Sequence, residues 1–347
     1  MNVGVLTGGG DCPGLNAVIR AIVYKGIKNY KYNLFGIYEG WKGLLEGGPI
    51  VPLTVGDVVN ILDAGGTILK TSRTNPFTHA GGIDKIKKTI ERYKLDAIIA
   101  IGGEDTLGVA AKLHQEGIKV VGVPKTIDND VSGTDRTFGF DTAVNCATDA
   151  IDRVRSTAEA HNRVVIVEVM GREAGWIALT SGIAGGANMI LVPEYPVDID
   201  DVVKQITIRH TQGEQFSVIV VAEGARLKKK GEDQKTAILD QGKDEFGHVR
   251  LGGIANQLSA IIYEKTGFEC RTVILGHIQR GGTPTAYDRV LSTRYGIHAI
   301  DLVRRGQYGK MTALRGTKII GTPLVDAMKK IKTIDKDFYA IAEVFFG

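Results

Sequence analysis

The sequence predicts an α/β protein with two doubly wound, mostly parallel sheets, on the basis of two recurring patterns and the chain length. Short apolar runs rich in Val and Ile recur and lead into glycine-rich turns, which is typical of strands buried on both faces. Segments with apolar residues at helical spacing lie between these runs. The 347 residues exceed the roughly 100–200 of a typical domain, so two domains are expected.

The limits of the predicted elements follow from the same patterns. The predicted strands are Val3–Thr7, Ala97–Ile101, Val120–Val123, Val164–Val169, Met189–Val192, Ser217–Ala222 and Thr272–Leu275. The predicted helices include Asn16–Lys25 and Thr142–Glu159. Residues 228–249 are polar and irregular, and we expect them to form an excursion between a strand and the next helix.

Composition and charge exclude several classes of protein. The net charge of +4 is small for this length, so no nucleic-acid partner is expected. No run approaches the roughly 18 apolar residues of a membrane span, so no membrane partner is expected either. The cysteines Cys12, Cys146 and Cys270 are few and widely spaced, which is typical of a reduced, cytoplasmic protein without a disulfide framework or zinc site.

The first loop with a chemical pattern follows the first predicted strand and reads Thr-Gly-Gly-Gly-Asp-Cys-Pro-Gly-Leu-Asn over residues 7–16. Free backbone N–H groups at such a turn, together with the N-terminus of the next helix, form an anion site. The pattern is neither Walker A nor Gly-x-Gly-x-x-Gly. Taken alone, the loop is compatible with phosphate binding and with a simple tight turn.

The second loop, Gly102 to Gly108, places the adjacent carboxylates Glu104 and Asp105 after two glycines at a strand end. Acidic residues are favoured at a helix N-terminus. Carboxylate oxygens beside a phosphate-binding loop are also ligands that suit Mg²⁺. The residues alone do not decide between these two interpretations.

The third loop, residues 124–130, reads Pro-Lys-Thr-Ile-Asp-Asn-Asp. An Asp at this place can accept a proton from a substrate hydroxyl, and the Lys can neutralise a transferring phosphoryl group. The alternative is an Asx-rich capping loop without a chemical role. Three loops that supply glycines, acids and a lysine match phosphoryl transfer, which needs positioning, charge neutralisation and a base.

The C-terminal half supplies basic groups. Arg172 follows a predicted strand, and Arg271 opens another strand that leads to the segment Gly-His-Ile-Gln-Arg-Gly-Gly at 276–282. An extended chain from Arg271 to His277 would span about 20 Å, so these two residues would not share one phosphate within a subunit. A subunit contact is a way in which they could share one. His277 by itself is better explained as a hydrogen-bonded residue at a strand end.

These segments together resemble the 6-phosphofructokinase family. The matching segments are 9–16, 102–106, 124–130, 169–172 and 276–282, in the family's order and spacing along nearly the whole chain. The resemblance implies two domains of phosphofructokinase type. Residues 1–139 plus 279–329 would form the phosphoryl-donor domain, and residues 140–278 plus 330–347 the fructose 6-phosphate domain. It also implies that fructose 6-phosphate is phosphorylated at its 1-hydroxyl, with Mg²⁺, as a step of glycolysis.

The resemblance assigns chemical roles to single residues. Asp128 is similar to the family's catalytic base, Thr126 to a ligand of the reacting groups, and Asp130 to a supporting acid. Glu104 is similar to the magnesium-associated carboxylate, a position where many members have Asp. The implied donor-binding residues are Gly9, Gly10, Arg73, Asp105 and Lys125.

The implied sugar-phosphate site draws on the second half of the chain. Its residues would be Thr126, Asp128, Arg163, Met170, Gly171, Arg172, Glu223, Arg271, His277 and Arg280, with Arg172 also in the catalytic set. Arg163 and Arg271 resemble the arginines that reach the 6-phosphate from a neighbouring subunit. The resemblance therefore implies a homo-oligomer, a dimer or a tetramer, with shared active sites.

Asp105 and Lys125 determine the expected donor. ATP-using members of the family have glycine at both positions, whereas the pyrophosphate-dependent branch carries this Asp and this Lys. A carboxylate where an α-phosphate would lie removes space and repels it, by about 1 to 4 kcal/mol for like charges about 4 Å apart. The lysine adds a cation that suits a donor without a nucleoside. The sequence therefore predicts pyrophosphate and a reversible reaction.

Two other hypotheses about the function remain open. The first is an ATP-dependent 6-phosphofructokinase, which differs from the favoured hypothesis in the donor alone. The second, from another class, is a non-catalytic nucleotide-sensing module with the same fold. Such a module would be expected to have lost its base, and Asp128 is intact here.

Overall fold

The computed structural model of the chain describes residues 1–228, 238–240, 244–248 and 250–346. The strands are β1 (Asn2–Thr7), β2 (Asn33–Ile37), β3 (Ile50–Leu53), β4 (Ala97–Gly102), β5 (Val120–Thr126), β6 (Phe138–Gly139), β7 (Val164–Val169), β8 (Met189–Leu191), β9 (Val197–Asp198), β10 (Ser217–Ala222), β11 (Leu227–Lys228), β12 (Ile238–Asp240), β13 (Arg250–Leu251), β14 (Cys270–Ile274), β15 (Lys310–Arg315) and β16 (Lys318–Pro323).

The α-helices alternate with these strands along most of the chain. They are α1 (Leu15–Tyr30), α2 (Trp41–Glu46), α3 (Val55–Val58), α4 (Gly82–Arg92), α5 (Glu104–Gln115), α6 (Phe140–His161), α7 (Trp176–Ala184), α8 (Ile199–Thr211), α9 (Ile254–Thr266), α10 (Ala286–Arg304), α11 (Leu324–Ala327) and α12 (Lys336–Glu343). Two short 3-10 helices cover Pro76–Thr78 and Gly276–Arg280. None of the described helices combines the length and the hydrophobicity that a membrane span requires.

The chain divides into two compact units. The first comprises Met1–Thr142, Asp244–His248 and Arg280–Ile331. The second comprises Ala143–Lys243, Val249–Gln279 and Lys332–Gly347. The short piece Asp244–His248 thus belongs to the first unit, although the segments on both sides of it belong to the second.

The main sheet of the first unit has the strand order β16-β15-β5-β4-β1-β2-β3, with β6 beside β5. Strand β1 lies between β2 and β4 and is parallel to both, while β3 and β16 are antiparallel edge strands. The chain leaves β1 toward β2 on one side and later returns to β4 on the other. Such a reversal of strand order is the place where open α/β sheets bind ligands, beyond the carboxyl ends of the strands.

The sheet of the second unit has the order β14-β7-β10-β8, and all its neighbouring strands are parallel. Both β7 and β10 are buried along their whole length, as their unbroken Val and Ile runs predict. Apolar residues of α8 and α9 pack against these strands to form the core of this unit. The prediction of an α/β fold with mostly parallel sheets is confirmed.

The predicted limits agree with the structure for the buried core strands and differ from it elsewhere. Strands β7 and β10 begin and end where the sequence predicts, and β5 extends beyond the prediction to Thr126. The predicted extended run from Arg271 to His277 was wrong, because β14 ends at Ile274 and His277 lies in a 3-10 helix. The strands at the two ends of the sheet order, β2 with β3 and β15 with β16, were not predicted, since they are short or mix exposed polar with buried residues.

The predicted excursion at 228–249 falls partly outside the described residues, which omit 229–237, 241–243 and 249. Its described part is not entirely irregular. Strand β12 pairs antiparallel with β13, and Asp244–His248 forms a tight turn in the first unit.

Candidate active site

The three loops predicted to carry the chemistry follow three neighbouring parallel strands of the first unit. Thr7 at the end of β1 is in register with Ile101 of β4, and Gly102 of β4 is in register with Pro124 of β5. The carboxyl ends of these strands therefore meet at one edge of the sheet. The structure thus brings the first loop together with two loops that lie far from it in the sequence.

The glycine loop after β1 is held in place by its neighbours. The N–H of Gly8 donates to the Ile101 carbonyl at 2.9 Å, and the N–H of Gly9 donates to the Ser72 carbonyl at 3.0 Å. These two N–H groups are engaged within the protein, so the predicted backbone contact with a phosphate falls to Gly10. Gly9 has φ 79°, a left-handed conformation that favours glycine. Its bond to Ser72 also brings the adjacent Arg73 to this loop.

Two cations converge on Gly10. Lys125 on β5 is 2% exposed, and its Nζ donates to the Gly10 carbonyl. A Cβ on Gly10 would lie 2.5 Å from Nη1 of Arg280, so the guanidinium lies directly against this glycine. Burial lowers the pKa of Lys125, and the nearby Arg280 and Arg73 lower it further. The guanidinium groups of Arg280 and Arg73 still concentrate positive charge beside the glycine loop, which suits an anionic phosphoryl donor. An anion bound there would favour the charged form of Lys125.

The third loop presents a pair of carboxylates. The N–H of Asp128 donates to Thr126 Oγ1 at 3.0 Å, and the same threonine side chain is hydrogen-bonded to Asp130. Among the described residues, Oδ1 of Asp128 and Oδ1 of Asp130 are buried without a hydrogen-bond partner. Burial, and then the charge of Asp128, raise the pKa of Asp130. Asp130 thus tends to keep its proton, which leaves Asp128 as the better candidate for a base.

The shape of this loop is fixed by Asn129. It adopts a left-handed conformation with φ 51°, which Asn tolerates better than most residues. Its Oδ1 accepts the N–H of Thr137 at 3.1 Å. A turn built on this residue separates the two aspartates and sets their spacing.

A magnesium ion fits the chemistry of this edge. Glu104 is the first residue of α5, and its charge contributes to raising the pKa of Asp130, so it lies near the aspartates. Within the described part of the chain, no three His, Cys, Asp or Glu residues form a ready metal cluster. Mg²⁺ in phosphoryl-transfer sites is held by one or two carboxylates together with the phosphates of the substrate, so such a cluster is not required.

The structure adds a turn that sequence reasoning missed. Nε2 of His248 lies 3.2 Å from Oδ1 of Asp105, and Nη1 of Arg73 donates to Oδ2 of Asp244 at 3.1 Å. Two predicted donor-binding residues are therefore held by one short turn. The sequence Asp-Glu-Phe-Gly-His at 244–248 indicates a turn, but no local pattern shows that it packs beside α5.

The predicted sugar-phosphate residues of the second unit fall into two groups. Met170, Gly171 and Arg172 follow β7, Glu223 follows β10, and His277 lies beyond β14. These three strands are adjacent and parallel, so this group lies at the carboxyl edge of the sheet. The segment after β7 is held by the N–H of Met170, which donates to Gln279 Oε1 at 3.4 Å, and by the Gly171 carbonyl, which accepts the N–H of Gly224 at 3.0 Å.

Arg163 and Arg271 lie at the opposite, amino edge of the same sheet. Arg163 immediately precedes β7, and Arg271 is the second residue of β14. Both guanidinium groups pair with Glu269, Arg163 through Nε at 2.9 Å. Arg163, and more weakly Arg271, lower the pKa of Glu269. These arginines are therefore apart from Arg172, Glu223 and His277 within one chain.

Comparison with known proteins decides the family. The sequence model of the family described as Phosphofructokinase matches residues 2–303. The chain belongs to the phosphofructokinase family. Members are phosphotransferases, so the chain is an enzyme of that kind.

Relatives within the phosphofructokinase family carry two different names. The chain is 57% identical, over 100% of both chains, to "Pyrophosphate--fructose 6-phosphate 1-phosphotransferase" of Amycolatopsis mediterranei. It is 53% identical, over 99% of both chains, to "ATP-dependent 6-phosphofructokinase 3" of Streptomyces coelicolor. The solved phosphofructokinase of Pichia pastoris in the T-state matches with a TM-score of 0.81 and 30% identity, over 99% of this chain and 36% of that longer one. Sequence identity to these relatives therefore distinguishes only weakly between pyrophosphate and ATP as the donor of this chain.

Proposed function

We propose that this phosphofructokinase transfers a phosphoryl group from pyrophosphate to the 1-hydroxyl of fructose 6-phosphate. The products are fructose 1,6-bisphosphate and phosphate, the reaction is reversible, and it serves glycolysis. The observation that carries the choice of donor is the buried Lys125, whose ammonium contacts Gly10 beside Arg280. The relative from Amycolatopsis mediterranei, at 57% identity, also bears the name of a pyrophosphate-dependent enzyme.

The residues of the first unit account for the chemical step. The oxygen of the sugar's 1-hydroxyl attacks a phosphorus of pyrophosphate, and Asp128 accepts the proton that this hydroxyl loses. Lys125, Arg280 and Arg73 neutralise the charge on the phosphoryl group and on the departing phosphate. Glu104 is proposed to hold Mg²⁺ together with the phosphates of the donor, and this ion would supply further charge neutralisation. Thr126 orients the loop through its bonds to Asp128 and Asp130.

The residues of the second unit are proposed to bind the sugar phosphate. The segment after β7 presents main-chain groups at Met170 and Gly171 and the cation of Arg172. Glu223 presents a carboxylate for sugar hydroxyls, and His277 presents a further polar group. Arg163 and Arg271, at the other edge of the sheet, are proposed to serve the 6-phosphate in a neighbouring copy of the chain. This proposal requires a homo-oligomer.

Asp105 is proposed to exclude ATP. Its side chain lies at the start of α5, beyond the carboxyl end of β4. A carboxylate there repels the additional phosphate of a nucleotide, and Lys125 favours a compact donor. The cytoplasm is the proposed location, in keeping with three free cysteines.

The donor is tested by assaying fructose 6-phosphate and Mg²⁺ with pyrophosphate or with ATP as the sole phosphoryl source. We expect turnover with pyrophosphate. In the double variant Asp105→Gly with Lys125→Gly, we expect ATP use to rise and pyrophosphate use to fall by about 10²-fold each, the scale of one charged contact in a phosphoryl-transfer site.

The single variants of the same pair serve as controls, since Asp105→Gly alone should relax ATP exclusion while keeping the lysine. A wild type that uses ATP as well as pyrophosphate would overturn the proposed donor. A wild type inactive with both donors, but still binding fructose 6-phosphate, would favour the sensing module instead.

A further inference from the structure

The turn Asp244–His248 is a compact, internally bonded structure. Oδ1 of Asp244 accepts the N–H groups of Phe246 and His248, both at 3.0 Å. The N–H of Asp244 donates to the His248 carbonyl at 3.1 Å. Burial raises the pKa of Asp244, but the two N–H donors and Arg73 outweigh it, so the pKa lies below its ordinary value. The carboxylate therefore stays charged and keeps the turn closed.

This turn is anchored to the first unit at several points. Phe246 packs against the apolar cluster of that unit. Oε2 of Glu245 accepts the N–H of Asn75 at 2.7 Å and lies 3.3 Å from Nε2 of His79. The position of His248 is therefore set by the turn and its anchors, and it does not depend on the side chain of His248 itself.

The position so fixed puts the imidazole of His248 against Asp105. The distance from Nε2 to Oδ1 is 3.2 Å, and the Asp105 side chain is 32% exposed. A short carboxylate at a helix start, exposed to this degree, has several rotamers open to it. One hydrogen bond from a fixed imidazole selects the rotamer in which the carboxylate lies beside the turn that also holds Arg73.

We propose that His248 is a positioning residue for donor specificity, which holds the carboxylate of Asp105 where it excludes a nucleoside triphosphate. This inference rests on the proposed function, since it deepens the role given to Asp105. His248 donates through Nε2–H, and the carboxylate accepts. Without this bond, Asp105 can turn toward solvent and leave room for the additional phosphate of ATP.

The experiment compares variants of two histidines, His248 on the turn and His79 outside it, which contacts Glu245 of the turn. His248→Leu and His248→Asn remove the Nε2–H donor, while His248→Gln keeps an N–H near that position. His79→Leu is the matched control, because His79 also pairs with a carboxylate of this turn but does not contact Asp105. The measured quantities are the inhibition constant of ATP against pyrophosphate and the KM values of pyrophosphate and fructose 6-phosphate.

We expect the inhibition constant of ATP to fall about tenfold in His248→Leu and in His248→Asn, the effect of one hydrogen bond to a charged group. His248→Gln and His79→Leu should stay within about twofold of wild type, the precision of a KM comparison. The KM of fructose 6-phosphate should not change in any variant. Equal melting temperatures for His248→Asn and His79→Leu would show that the difference is local.

Two results would overturn the inference while the proposed function stands. One is an unchanged ATP inhibition constant in both His248→Leu and His248→Asn. The other is a change in the KM of fructose 6-phosphate as large as the change for the donor, which would indicate general damage. A wild type that does not use pyrophosphate would instead overturn the proposed function, and the inference with it.

Discussion

Lys125 in the third loop of the first unit and the arginines at the amino edge of the second unit are held in different ways. Lys125 is 2% exposed and donates to a main-chain carbonyl. The side chains of Arg163 and Arg271 are 24% and 55% exposed and share one carboxylate, Glu269. The comparison shows that Lys125 is fixed by burial, while Arg163 and Arg271 are held by a surface ion pair that a phosphate can replace.

This contrast has a functional meaning. A site that is complete within one chain needs its cations fixed before the ligand arrives, because this reduces the reorganisation required in the transition state. If Arg163 and Arg271 serve a neighbouring copy, as proposed, they need another partner until that copy's ligand is present. Glu269 supplies such a partner here. Three predictions test the contrast, from the largest expected effect to the smallest.

The largest effect is expected at the carboxylate pair of the first unit. Asp128→Asn removes the proposed base and should lower kcat by about 10² to 10⁴-fold, with fructose 6-phosphate still bound. Asp130→Asn is the matched control, because the raised pKa of Asp130 already favours its neutral form. Steady-state kinetics with calorimetric sugar-phosphate binding would check both variants. An equal or larger loss in Asp130→Asn would show that the base is assigned to the wrong aspartate.

The second prediction concerns the proposal that Arg163 and Arg271 bind the 6-phosphate in the site of a neighbouring subunit. The double variant Arg163→Met with Arg271→Met should raise the KM of fructose 6-phosphate at least tenfold while the KM of the donor stays constant, because it removes charged hydrogen bonds to the 6-phosphate alone. Combining this variant with Asp128→Asn subunits should restore roughly a quarter of wild-type activity in an unfractionated one-to-one mixture, because about half of the pairs are mixed and one of the two sites in each mixed pair is intact. Mixed pairs isolated through both tags should have roughly half of wild-type activity.

Complementation of that kind requires subunit exchange, so the mixture is made by co-expression with two affinity tags. Sedimentation of the wild type gives the size of the assembly in the same buffer. Activity of the mixture no higher than that of the separate variants would place the arginines in their own subunit's site, or in none.

The smallest effect is expected in the pH dependence of stability. Asp288 is buried, and its Oδ2 accepts the N–H of Thr142 at 2.8 Å and its hydroxyl at 2.5 Å. Burial raises the pKa of Asp288 to about 6. The folded state therefore holds this proton more tightly than the unfolded chain, and the free energy of unfolding falls as pH rises from about 4 to about 6.

Between these pH values the free energy of unfolding should fall by about 1.4 kcal/mol per pH unit in the wild type, and Asp288→Asn should remove this decline. Urea unfolding at a series of pH values measures it. Glu269→Gln should act with the opposite sign. The pKa of Glu269 is lowered by Arg163 and Arg271, so its contribution is present above the ordinary carboxyl range and is lost as pH falls. If the free energy of unfolding changed with pH in the same way in Asp288→Asn and Glu269→Gln, the contrast between a buried and a surface carboxylate would be wrong.

The sequence by itself determined the α/β class and the core strands. Unbroken Val and Ile runs, as in β7 and β10, leave few alternatives to a strand buried on both faces. It also determined the family, because five ordered motifs at strand ends are far more specific than any single one. Among the relatives compared, the names divide between two donors, and the prediction of pyrophosphate still depends on Asp105 and Lys125.

The tertiary structure alone decided which of those residues meet. The burial of Lys125 against Gly10, the approach of Arg280 to the same glycine, and the separation of Arg163 from Arg172 all depend on strand order, which local patterns do not encode. The turn that holds Asp105 is the clearest case. His248 lies 143 residues from Asp105 in the sequence, and only long-range packing places it there. Periodicity reports the burial of one element at a time, whereas a site is made by contacts between elements.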